Sequence, residues 1–128
     1  MKVFTNAWFG RFCRKQRIAA STLWDAVDRA ETGLIDADLG GGVIKQRIAR
    51  VGESKSKGFR AIVVYRTGDR AFFVYGFSKS GRANIRNDEE AHFKKLAKSM
   101  LDLSEQQVRQ LIEEGLFEEV TRDGQETP

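Results

Sequence analysis

"VIKQRIARVGESKSKGFRAIVVYRTGDRAFFVYGFS", residues 43–78, decides the fold. Three segments within it, 43–50, 59–66 and 70–78, are rich in β-branched and aromatic residues and bounded by turn signals, so each reads as a strand. Thr67-Gly68-Asp69 supplies a tight turn between the last two, and residues 51–58 form a loop between the first two. Short connections of this kind join antiparallel neighbours, and the stretch reads as an antiparallel meander.

Working outward, "KVFT" at 2–5 is a short strand. Asn6 is placed to cap a helix running through Lys15, with Trp8, Phe9, Phe12 and Cys13 near one face. Residues 21–31 repeat the pattern, with Ser21 or Thr22 as cap and Leu23, Trp24 and Val27 in helical register. Both tryptophans read as core rather than as stacking platforms. "DADLGGG", 36–42, reads as a turn-rich join. No Gly-Lys-Ser/Thr follows it, so it is not a phosphate loop.

Beyond the meander the period turns helical. Asn87 or Asp88 caps a segment with Phe93, Leu96, Ala97, Met100 and Leu101 on one face. Ser104 and Gln107 have capping-box spacing, Leu103 and Val108 that of a hydrophobic staple, and Gly115 is a stop signal. "LFEEV", 116–120, fits a short edge strand. The class is therefore α+β: N-terminal helices packed on a twisted, mainly antiparallel sheet, with C-terminal helices. Residues 1–120 are expected to form a single domain and 121–128 a polar tail.

Charge is unevenly placed along this plan. Residues 43–82 hold ten Lys/Arg and two acids, a formal +8, whereas the rest of the chain holds twelve and sixteen, a formal −4. A focused positive field attracts polyanions. Strand alternation puts Lys45 and Arg47 on one face, Arg60 and Arg66 either side of Ile62 and Val64, and Phe73, Tyr75, Phe77 and Lys79 together opposite Phe72 and Val74. One sheet face is then expected to pack on helices while the other carries basic and aromatic groups. Three uses of that face stay open: nucleic-acid binding or cleavage, an acidic protein partner, or plain solvated surface.

Several chemistries are disfavoured. With one Cys and one His, Cys13 and His92, the usual zinc site cannot be assembled. Nothing resembles a nucleophile elbow. "DEE" at 88–90 reads as a helix-start charge cluster, His92 as an exposed structural side chain and Cys13 as a small buried hydrophobe. No run approaches the roughly 18 apolar residues of a membrane span. The N-terminus lacks a signal-peptide h-region, and a lone cysteine suits a reducing compartment, so a cytoplasmic location is expected. What remains is Lys45, Arg47, Lys57, Arg60 and Lys79, near Tyr75. Such cations hold phosphates and stabilise charge growing on a phosphoryl group. A cleft of this kind can cleave RNA without a metal or other cofactor, because the ribose 2′-hydroxyl is a built-in nucleophile.

The same residues carry a family resemblance. "GGGVIKQRIARVGESKSKGFRAIVVYRTGDRAFFVYGFSKSGRANI", residues 40–85, resembles the central block of toxins in the RelE/HigB branch of bacterial type II toxin–antitoxin systems. "LSEQQVRQLIEEGLFEEV" is similar to the C-terminal extension of one HigB-like subgroup, and the likeness spans residues 2–120. It implies a compact RelE-like fold and ribosome-dependent, metal-independent cleavage of translated mRNA that leaves a 2′,3′-cyclic phosphate. By position it implies catalytic or phosphate-holding roles for Lys45, Arg47, Lys57, Arg60 and Lys79, and RNA contacts for Tyr75, Phe77 and Arg82. Several relatives have Tyr where this chain has Phe77, which cannot donate a proton, so the resemblance leaves the general acid open, with Tyr75, roughly 6–7 Å along the strand, as one substitute. The resemblance further implies an antitoxin encoded by a neighbouring gene, with operator DNA bound only through the antitoxin complex. Two rival readings share the fold: a ParE-like toxin that inhibits DNA gyrase without nuclease activity, and an inactive nucleic-acid-binding relative.

Overall fold

The computed structural model describes residues 1–50 and 58–122. Among them the chain runs β1 (Lys2–Asn6), α1 (Ala7–Gln16), α2 (Ala20–Glu31), β2 (Ala37–Gly40), β3 (Val43–Ile48), β4 (Phe59–Arg66), β5 (Arg70–Ser78), α3 (Asn87–Leu101), α4 (Glu105–Glu113) and β6 (Phe117–Val120). The strands form one sheet in the order β2-β3-β4-β5-β1-β6. The β1–β5 pair is parallel and every other pair antiparallel, so the expected meander β3-β4-β5 is the centre of an α+β fold.

Helices cover both faces of this sheet, not one as the sequence suggested. Phe9 of α1 and Leu23, Trp24 and Val27 of α2 pack on Ile44, Val63 and Phe73. Phe93, Ala97 and Met100 of α3 and Val108 of α4 pack on Val43, Ile62, Val64 and Phe72. Doubly covered, β4 is buried from Phe59 to Tyr65, which is why its periodicity alone named neither face as the inner one.

A β-bulge in β5 overturns the expected alternation there. Ile62 faces Tyr75 but Val63 faces Phe73, so Val74 is an extra residue on the bulged strand. Val74 and Tyr75 therefore both turn toward α3, joining Phe72 and Phe77, while Phe73 goes to the α1/α2 face. Asn6 stabilises the irregularity by donating from Nδ2 to the Val74 carbonyl at 3.1 Å. Gly76 is required next door: a Cβ there would stand 2.7 Å from the Phe12 ring and 2.9 Å from that of Phe9.

Other local expectations divide. Asn6 caps α1, accepting from the Phe9 N–H at 2.8 Å. Ser104 and Gln107 exchange both capping-box bonds at the start of α4, at 3.1 and 2.8 Å. Gly115, at φ +81°, follows the end of that helix, and β6 pairs with β1 as an edge strand. By contrast, α2 starts one residue before Ser21, at Ala20, with Ala19 as an N-cap that makes no side-chain bond. Its start is fixed instead by the tight link after α1, where Arg17 turns left-handed and the Ile18 N–H reaches the Cys13 carbonyl. Arg86 rather than Asn87 or Asp88 is the N-cap of α3, because Glu89 folds back onto the Arg86 N–H at 2.7 Å. The stretch 36–42 contains a strand as well as a turn: β2 pairs with β3 across Gly41-Gly42, both at positive φ. Finally, β3 stops at Ile48, two residues earlier than expected.

Candidate functional site

On the α3 side of the sheet, the end of β3 and the start of β4 bring three of the expected cations, Lys45, Arg47 and Arg60, together. Lys45 faces Ile62, Arg47 faces Arg60, and Arg60 faces Phe77 on its other flank. The Tyr65 N–H bonds the Gly42 carbonyl, so Gly42 and Tyr65 form a hydrogen-bonded rung. Rungs alternate in an antiparallel pair, which makes Arg47–Arg60 a non-hydrogen-bonded rung, the kind with side chains closest together. Two guanidinium side chains thus stand directly opposite at the narrow spacing, where like charges repel.

Arg60 is the unusual member. It is only 7% exposed, yet its NH1 has no hydrogen-bond partner among the described residues. Burial, and then the charge of Arg47, hold its pKa below the ordinary arginine value, with Asp36 acting in the opposite sense. Arg47 is exposed and Lys45 half-buried, its Nζ donating to Asn84 Oδ1 at 3.1 Å. Lys79 is exposed in the turn that follows β5. Lys57 lies outside the described residues, as does Lys55. Arg50 sits over the ring of Phe59, on the opposite face.

Beside the cations lies an aromatic wall. Phe77 is 5% exposed and serves as its floor. The Tyr75 ring lies 5.9 Å from Phe93 and 4.8 Å from Trp8. Trp8 was expected in the core but is 39% exposed; its ring stacks on Phe12 at 5.3 Å and lies against Tyr75 with the rest of it open to solvent. Trp24 is buried as expected, its indole N–H donating to the Val120 carbonyl. Arg82 crosses above Tyr75 and Phe77, at 5.9 and 5.7 Å from the ring centres. Its donors are already occupied: NH1 on the Tyr75 hydroxyl (3.1 Å) and Glu89 (3.3 Å), NH2 on Glu89 (2.6 Å), and Nε on the Asn84 carbonyl. That pairing with Arg82 holds the Glu89 carboxyl down to about 2. Glu89 therefore fixes Arg82, and Arg82 fixes Tyr75. In the sequence, "DEE" showed only helix-start acids; the pairing of Glu89 with Arg82, seven residues earlier and outside the helix, had no motif to announce it.

Groups set aside on sequence grounds sit apart from this cluster. His92 is exposed on α3. Cys13, expected as a buried hydrophobe, is half-buried, and desolvation pushes its thiol up to about 12, which disfavours the reactive thiolate. Asp88 pairs with Arg86, and Glu90 with Lys94. Among the described residues, no three His, Cys, Asp or Glu side chains come together as a metal cluster. Cavities of about 240 Å³ beneath α4 and about 350 Å³ between α1 and β6 do not include Lys45, Arg47 or Arg60 in their walls.

A family model described as the RelE toxin of the RelE/RelB toxin–antitoxin system matches residues 1–120. The chain belongs to the RelE toxin family. No curated protein and no solved structure matches it. Membership makes this RelE-family chain the toxin component of a toxin–antitoxin pair and implies an antitoxin partner. None of the described helices of this toxin is long and apolar enough to cross a membrane.

Proposed function

We propose that this toxin is a metal-independent endoribonuclease acting on mRNA at the ribosome. The observation that carries the reading is Arg60, a buried cation with an unused donor held opposite a second arginine. A buried, unpartnered guanidinium costs stability, and an oxyanion that ligates both arginines compensates for it. A phosphodiester supplies such oxygens, and arginine binds them through a planar fork of donors. In the reaction the 2′-oxygen attacks the adjacent phosphorus as its proton leaves. The P–O5′ bond breaks, the O5′ takes up a proton, and a 2′,3′-cyclic phosphate remains. Arg47 and Arg60 stabilise the extra negative charge of the transition state. Lys45 or Lys57 serves as base, while Lys79 holds the flanking backbone. Arg82 acts through Tyr75: it directs the phenol toward the site, where Tyr75 is the candidate to hand a proton to the leaving oxygen. Phe77 is the floor beneath them rather than a stacking surface.

The antitoxin, encoded beside the toxin and acting in the same cytoplasm, covers this cationic face, and operator DNA is bound through the complex of the two. Pulse expression in a bacterium tests the reading, with mapping of new mRNA 5′ ends alongside translation and DNA supercoiling. Cuts phased with codons, absent for Arg60→Ala, are expected. Supercoiling defects without cuts would replace the reading with gyrase inhibition, and loss of toxicity in both assays would leave an inactive relative.

A further inference from the structure

The Arg47–Arg60 rung has an unusual outer edge. Pairing of β2 with β3 runs only from Gly40–Val43 to Ala37–Lys45, so the N–H and C=O of Arg47 that point outward meet no strand. Two side chains replace the missing strand residue. Asp36 Oδ2 accepts from the Arg47 N–H at 2.7 Å, and Arg29 NH2 donates to the Arg47 carbonyl at 2.5 Å. Arg29 and Asp36 are themselves paired at 3.3 Å, and Arg29 is braced by Asp25 at 3.2 Å. The Asp36 N–H in turn donates to Oε1 of Gln46 at 2.7 Å. Gln46 is 1% exposed and anchors on the Ala26 carbonyl of α2 at 2.9 Å. A strand end that carries two opposed cations and lacks one neighbour is prone to fray. Here it is tied to α2 through a closed ring of hydrogen bonds.

We propose that Asp36, braced by Arg29, is a positioning residue for the anion site: it holds the Arg47 backbone at the narrow rung so that Arg47 and Arg60 address one phosphodiester together. The inference rests on the nuclease reading of that site. Asp36 touches no reacting atom; its carboxylate acts through the main chain of Arg47 and places a negative charge behind the cation pair. A misplacement of about 1 Å at a catalytic group can cost on the order of 10²-fold in rate.

The test uses the purified full chain and ribosome-bound mRNA in single-turnover cleavage, together with amide hydrogen exchange. Asp36→Ala is expected to slow the cleavage step about 10²-fold with the half-saturating concentration changed less than about threefold. Exchange at the Arg47 amide should accelerate while that at Val63 and Val64 stays slow. Asp36→Asn keeps an oxygen for the Arg47 N–H and loses only the charge, so it should recover about tenfold of the lost rate; it also carries the test if the alanine variant does not fold. Cleavage by both variants at the wild-type rate, or losses that track global unfolding at Val63 and Val64, would overturn the positioning role while leaving the nuclease reading intact. A wild-type chain that cuts no ribosome-bound mRNA would defeat the nuclease reading, and the inference with it.

Discussion

Replacing Arg60 with Met should make the protein more stable and less active at once. The side chain is 7% exposed, faces Arg47 and leaves NH1 unbonded. An unsatisfied buried donor costs about 1–3 kcal/mol, and exchanging buried charge for an apolar residue of similar volume is often stabilising by about 1–4 kcal/mol. Met keeps the unbranched stem that packs beside Phe77 and removes only the charge. A gain of about 1–3 kcal/mol is therefore expected, raising the unfolding midpoint of a domain this size by roughly 3–10 °C. Loss of a desolvated guanidinium–phosphate contact should weaken transition-state binding by about 2–5 kcal/mol, roughly 30-fold to several thousand-fold in rate. Thermal unfolding by circular dichroism and single-turnover cleavage, run on the same preparations, read both effects. A lower midpoint would mean that Arg60 is a structural residue whose cost has been misjudged. Cleavage within threefold of the parent would remove Arg60 from the site altogether.

Three further outcomes are expected. Gly58→Ala puts a Cβ 2.2 Å from the Ile48 carbonyl oxygen, a backbone atom that cannot step aside, and should cost about 1–3 kcal/mol in urea unfolding; an unchanged midpoint would refute the close approach. Glu89 has its carboxyl depressed from 4.5 to about 2 by Arg82, so its stabilising contribution is complete above pH 4.5 and disappears as the pH falls toward 2. Glu89→Gln should flatten that part of the acid limb of stability against pH, and superimposable curves for parent and variant would count against the Arg82 clamp. Cys13, pushed up to about 12 by burial, should react with iodoacetamide at pH 7.5 at least about tenfold more slowly in the native chain than in urea; equal rates would show the thiol to be accessible.

Much of this molecule was legible because its signals are local. The meander is announced by strand composition and a three-residue turn, α1 by Asn6, and α4 by the reciprocal Ser104–Gln107 box, each depending on residues close together in the chain. The cation cluster was partly legible for the same reason. Lys45 and Arg47 share a strand face by simple alternation, and the turn signals brought Arg60 to the neighbouring strand.

What the tertiary structure decided rests mostly on partners far apart. Val74 is a bulge only because β4 and Asn6 fix the register on either side of it, and that single extra residue moves Tyr75 to the α3 face and Phe73 away from it. Periodicity in one chain segment assumes an unbroken ladder and cannot register the shift. Nearer in the chain, β2 forms because β3 offers an edge across Gly41-Gly42, and Arg82 is occupied by Glu89 of α3, pairings that no local periodicity encodes. The narrow rung that sets Arg47 against Arg60 likewise depends on pairing parity, and its outer edge is closed by Arg29 and Asp36 from α2 and the segment before β2. By itself, the sequence determined which side chains carry charge and which segments form every strand but β2. Contacts between elements decided that Arg82 is neutralised by Glu89 and that Arg60 is buried with an NH1 that has no partner among the described residues.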